Sequence, residues 1–262
     1  MKKEELLLNI KDKEDKIMVS KVLEMANTSY MKDILKYTNF LDPREIMLCE
    51  EVLNKAKIKY EEIVPFSDAE KCIIVFLPTY LKKEYLDLNE IYGCIKIGIK
   101  AQQKLSHKDY MGAIYNLGIA RENIGDIFVI KNGAYIFCTL KVLDYFLYNV
   151  NKVGRYEVTV TKEDVTKISN LERNYSIKNI IVKSPRIDLV ASELSSITRN
   201  KFTEKIENGE IFLNYKEEYY KSTNVKEGDI LVIRKVGKFK INKFKGTTKK
   251  DNIKIEVKKY ID

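Results

Sequence analysis

The sequence predicts an α+β fold built from three modules, on three observations. Apolar residues recur at helical spacing up to about residue 68, and strand-like alternating or continuous apolar runs take over from Lys71. A pair of short helical patterns then follows over 187–206, ahead of further strands. The expected boundaries are a mainly helical N-terminal domain over 1–68, a central α/β domain over 69–165 and a C-terminal module of two helices and a small sheet over 180–262. With 262 residues and 45% hydrophobic content, the chain is long enough for two or three ordinary cores.

In the first module, Ile17, Val19, Val22, Leu23 and Met25 mark one helix, and Ile46, Leu48, Cys49, Val52 and Leu53 mark another. Asp42 as cap with Pro43 at the first helical position sets the start of the second, because proline lacks the amide hydrogen that would go unpaired there. The central module reads as strands at Cys72–Leu77 and Gly93–Ile99, then a helix from Lys108 to Leu117 closed by Gly118. Its start would be capped by His107 with Asp109, and Gly112 would permit close packing. Strands at Asp126–Ile130 and Ala134–Leu140 are joined by Asn132-Gly133, the strongest short hairpin signal. A helix over Val142–Val150, a stop at Gly154 and a strand over Arg155–Thr161 complete a split-βαβ order of the ferredoxin-like and RRM-like kind.

The C-terminal module opens with Ser184 as cap and Pro185 at the first helical position, after which Ile187, Val190, Ala191 and Leu194 give one apolar helix face. Ser196 or Thr198 can cap a second helix carrying Phe202 and Ile206, which stops at Asn208-Gly209. Arg199, Lys201 and Lys205 cluster near its start and along one side, where a phosphate would meet unpaired amide groups as well as fixed positive charge. Ile211 and Leu213 read as a strand, Gly228-Asp229 as a turn and Ile230–Arg234 as another strand. A hairpin follows, with Phe239, Ile241, Ile253, Ile255 and Val257 on one face and a turn at Gly246-Thr247-Thr248.

Charge is placed unevenly. The net charge is +9, yet residues 1–177 hold 27 Lys or Arg against 26 Asp or Glu, and residues 178–233 balance at 9 and 9. Residues 234–262 hold 11 basic residues against Asp251, Glu256 and Asp262, so Lys235, Lys238, Lys240 and Lys243 belong to a cationic ribbon suited to a phosphate backbone. The chain uses Lys 40 times and Arg 7, so lysine-rich stretches are partly compositional. Three of the seven arginines, Arg186, Arg199 and Arg234, nevertheless sit in this module, and a planar bidentate donor is a specific choice for gripping phosphate or a base edge.

Arg186-Ile187-Asp188, Thr198-Arg199, Lys201, Gly209, Asn214, Gly228-Asp229 and Arg234 fall at the intervals of the RNA-binding domain first described in small-subunit ribosomal protein four, the S-four domain. That resemblance implies RNA contacts for Arg186, Thr198, Arg199 and Lys201. Tyr215 after Asn214 departs from the family's usual Gly and changes the loop. Asp188 reads more simply as the partner of a structural charge pair with Arg186. Upstream, Phe40-Leu41-Asp42-Pro43-Arg44-Glu45, His107-Lys108-Asp109-Tyr110-Met111-Gly112-Ala113, Leu117-Gly118-Ile119, Arg121-Glu122-Asn123-Ile124-Gly125-Asp126 and Gly154-Arg155 resemble the signatures of the bacterial YlmH family.

That second resemblance runs over nearly the full length. It implies a non-catalytic protein that binds ribosomal RNA of the large subunit together with tRNA or peptidyl-tRNA, during rescue of stalled translation with C-terminal tailing. In the central module Lys108 or Arg121 could touch RNA. The glycines and Asp126 read as architecture, and Arg121, in a helix-to-strand loop, fits either reading.

Other classes leave weaker marks. An Arg-Ile-Asp triplet brings pseudouridine synthases to mind, but the downstream spacing assigns it to the binding module. An RNA methyltransferase would need a glycine-rich cofactor loop, and no GxGxxG or GxxxxGK occurs among 11 glycines. His107 is the sole histidine, and Cys49, Cys72, Cys94 and Cys138 are widely spaced without CxxC, so neither a metal site, a disulfide framework nor a catalytic triad assembles. A protein–protein adaptor would show an exposed apolar patch in place of a cationic one. No signal peptide or membrane span is readable, which leaves the cytoplasm as the default and a monomer without cofactor or membrane partner as the expectation.

Overall fold

The computed structural model describes residues 3–99, 105–168, 170–195 and 197–261, and at Arg199 the backbone alone. The chain divides into two compact units, 1–172 and 173–262. The expected helical and central modules therefore share the first unit.

That unit is a stack of four layers. A short turn of helix, α1 (Lys3–Leu6), precedes α2 (Lys13–Lys32), capped by Asp12, which accepts from the Glu14 and Asp15 amides. α3 (Pro43–Lys55) begins as expected: Asp42 and Glu45 form a reciprocal capping box with Pro43 just inside it. Against these helices lies a three-stranded antiparallel sheet ordered β1 (Lys36–Tyr37), β3 (Ile73–Phe76), β2 (Glu61–Ile63). Cys72, Ile74 and Phe76 face Val19, Val22, Cys49, Val52 and Leu53. Ile73 and Val75 point the other way, into a second core with Phe40, Phe66, Tyr92, Cys94 and Phe137. Period-two alternation thus makes β3 the shared wall of two cores.

Two expectations change here. The stretch 1–68 contains two strands, of two and three residues, too short to leave an alternation in the sequence. The strand near Cys72 pairs with those two and not with the central sheet.

The third layer is a five-stranded antiparallel sheet, order β5 (Ile124–Ile130), β6 (Gly133–Thr139), β4 (Tyr92–Ile99), β8 (Tyr156–Glu163), β7 (Lys152–Val153). Helices α4 (His107–Tyr115) and α5 (Leu140–Asn149) supply Tyr110, Ile114, Leu143 and Phe146 to the core on its outer side, against Ile95, Ile97, Ile136 and Cys138. With β7 set aside, strand–helix–strand–strand–helix–strand in this order is the split-βαβ arrangement. Gly133 opens β6 because nothing else fits: a Cβ there would stand 1.8 Å from the Ile97 carbonyl oxygen, at a φ of 154°.

Local readings shift in three places. Ser106, not His107, caps α4, sharing a capping box with Asp109. A side chain at Gly112 would meet nothing within 4 Å, so close packing is not its role. Gly154 forms the β7–β8 turn and does not end α5.

The second unit is a six-stranded antiparallel sheet with two helices on one face. The order is β11 (Lys216–Glu217), β10 (Ile211–Leu213), β12 (Ile230–Ile233), β13 (Gly237–Thr247), β14 (Ile253–Tyr260), β9 (Tyr175–Val182). α6 (Ile187–Ser195) and α7 (Arg199–Glu207) bury Ile187, Val190, Leu194, Phe202 and Ile206 against Ile211, Leu231, Phe239, Ile241 and Val257.

The unit begins earlier than residue 180, because β9 completes the sheet by pairing along β14 from Tyr175 to Val182. Pro185 is not the first helical residue. Its carbonyl accepts from Val225 and the Ile187 amide donates to the Thr223 carbonyl, so 185–186 lies outside the helix and α6 starts at Ile187. The β13–β14 turn lies at 248–252, past the expected glycine.

Candidate nucleic-acid interface

The second unit places the expected RNA-contacting residues in three locations. The first is the entrance to the helix pair. Arg186, bridged to Asn224, donates from Nε and a terminal nitrogen to the two carboxylate oxygens of Asp188 at 3.1 and 2.9 Å. Asp188 is buried and also accepts from the Leu189 amide. It is therefore the structural member of the pair, and it fixes a guanidinium whose side chain stays 40% exposed. Thr198 is the N-cap of α7 by backbone geometry; its side chain makes no cap bond and is exposed. Lys201 is exposed in the first turn. The side chain of Arg199 and the alternative cap Ser196 lie outside the described residues.

The second location is the β12–β13 turn. Arg234 is exposed with its guanidinium 5.2 Å from the Phe212 ring centroid, and Lys235 is exposed at a φ of 66°. Lys205, expected beside the start of α7, reaches here instead: it is ion-paired with Glu210 and lies 3.5 Å from the Arg234 carbonyl oxygen. The Lys205 ammonium holds the Glu210 carboxyl below its ordinary range. Lys205 is thus neutralised locally, while Arg234 and Lys235 present charge.

The third location is the sheet face opposite the helices. Alternation sends Phe239, Ile241, Ile255 and Val257 into the core and Lys238, Lys240 and Lys258 outward. Lys238 Nζ donates to the Tyr215 hydroxyl at 2.7 Å and lies 4.9 Å from the Tyr260 ring centroid. Lys258 Nζ lies 5.1 Å from that of Tyr175. Lys243, past a bulge in β13, is exposed and pairs in register with Glu256.

The helix entrance and the ribbon lysines therefore do not form one cluster. The tyrosines of the outer face were not among the sequence candidates. The Lys254, Glu256, Lys258 alternation, continued one step, reaches Tyr260, but nothing local marks Tyr175 as its neighbour.

Asn214 and Tyr215 both adopt positive φ, 49° and 64°, and form the tight β10–β11 turn. Asn214 earns its place by donating to Asp229 and accepting from the Ile230 amide, both at 2.9 Å.

In the first unit the same kinds of residue do structural work. The Arg121–Asp126 stretch joins the two sheets: Glu122 accepts from the Phe40 amide, and Asp126 accepts from the Glu70 and Lys71 amides. Lys71 Nζ donates to the Arg121 and Ile124 carbonyls, and burial lowers its pKa against the pull of Asp126. Arg121 is exposed, its guanidinium 5.5 Å from the Tyr115 ring centroid, and Lys108 is exposed in the first turn of α4.

Cys49, Cys72 and Cys138 are buried thiols pushed up to about 12 by that burial, and Cys94 is raised likewise, which removes the thiolate a nucleophile needs. Among the described residues no group of three or more His, Cys, Asp or Glu could hold a metal ion, and no helix is long and apolar enough to cross a membrane.

Residues 93–167, from β4 to the turn that follows β8, match the family described as "Putative RNA-binding domain in YlmH". Over 243 residues, 93% of this chain and 94% of the relative, the sequence is 25% identical to Ribosome-associated protein quality control protein P2 of Bacillus subtilis (strain 168). Among solved structures, Cell division protein ylmH from Streptococcus pneumoniae overlaps 60% of this chain and 94% of its own, at 22% identity and a TM-score of 0.48. The match of the central domain to that family and the alignment with the relative almost end to end together support a YlmH-type RNA-binding protein.

Proposed function

We propose that this protein binds ribosomal RNA of the large ribosomal subunit, with tRNA or peptidyl-tRNA, and acts without chemistry of its own in the rescue of stalled translation. The observation that carries the reading is the alignment along 93% of the chain with a relative named for ribosome-associated quality control. The second unit supplies a physical means, as an S-four-type module. Arg186 is clamped at the helix entrance, Thr198, Arg199 and Lys201 open α7, and Arg234 and Lys235 present charge from the β12–β13 turn. A helix start lined with cations suits a phosphate on folded RNA. The protein works as a cytoplasmic monomer and needs no cofactor.

Co-sedimentation of the full chain with purified large subunits across a salt series tests this. Apparent affinity should fall on a log–log plot by about 0.7–0.9 per phosphate contacted, and replacing Arg199 and Lys201 together by Ala should flatten that slope by about 1.5–2. Salt-insensitive association, or a double variant that binds as the parent does, overturns the reading.

A further inference from the structure

We propose that the outer face of the six-stranded sheet is a second RNA site, which takes an unpaired strand by stacking its bases on Tyr175 and Tyr260 and gripping its phosphates with Lys238, Lys240 and Lys258. The inference deepens the RNA-binding reading and rests on it for the class of ligand.

The helices α6 and α7 cover one face of this sheet, and among the described residues no element of the second unit covers the other. That open face is not built as an ordinary solvated surface. Lys240 stands directly opposite Lys258 in the β13–β14 register, a like-charged cross-strand pair that costs the sheet stability. Lys238 adds a third ammonium one step along β13. Glu256, a carboxylate within this face, is already engaged by Lys245 and Asn242, and Glu217 at the β11 edge accepts from the Tyr219 hydroxyl. Charge arranged against the interest of the fold points to an anion.

The residues beside the lysines say which kind. Tyr260 pairs with Tyr175 across the β14–β9 register, their ring centroids 5.0 Å apart at an interplanar angle of 74°. Ile177 follows two residues along the same face of β9 and is 59% exposed. Base pairs in a duplex hide their flat faces, whereas an unpaired strand offers them to aromatic side chains while its backbone runs along cations. A sheet face with tyrosines at one margin and lysines at its centre matches the strand, not the duplex. An acidic protein would not require the rings. Helix entrance and sheet face lie on opposite sides of the unit, so one module could hold a folded element and an unpaired one together.

The test uses the full chain and two labelled probes, an unstructured pyrimidine oligoribonucleotide and a fully paired RNA hairpin. Tyr175→Leu with Tyr260→Leu keeps apolar bulk but removes the rings, and should weaken oligonucleotide binding by at least about tenfold while hairpin binding stays within about twofold. Tyr175→Phe with Tyr260→Phe should bind the oligonucleotide as the parent does. Arg199→Ala with Lys201→Ala should show the reverse selectivity. The proposal is overturned if the Leu pair, melting at the parent temperature, binds the oligonucleotide unchanged, or if it alters only self-association in sedimentation. It is equally overturned if the Arg199/Lys201 pair abolishes oligonucleotide binding, which would mean a single site. Loss of hairpin and ribosome binding in the parent, with tyrosine-dependent oligonucleotide binding retained, would defeat the ribosomal reading and leave this one standing.

Discussion

The two large sheets of this protein are both antiparallel and both carry a pair of helices on one face, but they differ in what lies on the other. In the first unit part of the second face of the five-stranded sheet is core: Tyr92, Cys94 and Phe137 are at most 1% exposed beneath Phe40, Phe66, Ile73 and Val75. In the second unit the corresponding face is lysine and tyrosine. The split-βαβ sheet is a familiar RNA platform because its free face presents aromatic rings to bases. Here the end of that face at Tyr92, Cys94 and Phe137 is covered by the three-stranded sheet, and Lys238, Lys240 and Lys258 lie on a different sheet. The binding surface proposed above lies in the second unit, whereas fold analogy alone would point to the first.

The largest effect that would break this contrast comes from the buried face. Phe137 is fully buried, with ring centroids of Phe66 and Tyr92 at 5.5 and 6.2 Å. Phe137→Ala should cost about 3–5 kcal/mol in urea denaturation followed through the β6 amides, since a large aromatic leaves a cavity that the layers cannot close. Lys240→Ala on the other sheet should cost less than about 0.5 kcal/mol. Equal costs would mean that the five-stranded sheet is not walled on both sides.

Much of the first unit was legible because its signals are local. Asp42-Pro43 marked the start of α3, Asn132-Gly133 the β5–β6 hairpin, and the order of strands and helices gave the split-βαβ arrangement. What escaped depends on distant partners. β1 and β2 are too short to alternate, and β9 reads Ile177, Ile180, Ile181, Val182, a run with no clean period until β14 pairs with it. The same holds at the interface. Sequence placed Lys238 and Lys240 on one face, but Tyr175 joins Tyr260 only through a pairing across most of the unit. The fork of Arg186 on Asp188 was readable, because the two stand two residues apart in the chain.

A smaller effect separates the units by pH. In the first, Glu62 is pushed up to about 7 by burial and by its hydrogen bond with Glu50. A carboxyl raised above its unfolded value of 4.5 favours the folded state only while protonated, so this contribution is intact below about 4.5 and fades as pH rises through 7. In the second, Glu210 and Glu256 are lowered by Lys205 and Lys245, so their contributions are present above 4.5 and fade on acidification. Hydrogen exchange between pH 5 and 8 should show the first unit loosening while the second does not, and Glu62→Gln should flatten that dependence. If Glu62→Gln leaves the slope unchanged, the carboxyl is not the titrating group.

The smallest effect concerns Lys108 and Arg121, the two cations of the matched domain that sequence reasoning offered to RNA. Arg121 lies against Tyr115, and its backbone carbonyl accepts from Lys71 at the junction of the two sheets, which explains its place without a ligand. Lys108 is a solvated first-turn residue next to Asp109, which is lowered by its bonds to Ser106. Replacing both by Ala should change affinity for large subunits by less than about twofold and leave the salt slope where it was, as isolated exposed charges contribute little. Replacing Lys238, Lys240 and Lys258 by Gln should lower the slope by about 2–3 if each meets a phosphate. Should the first pair flatten the slope and the second trio not, the RNA-contacting charge would lie in the first unit after all.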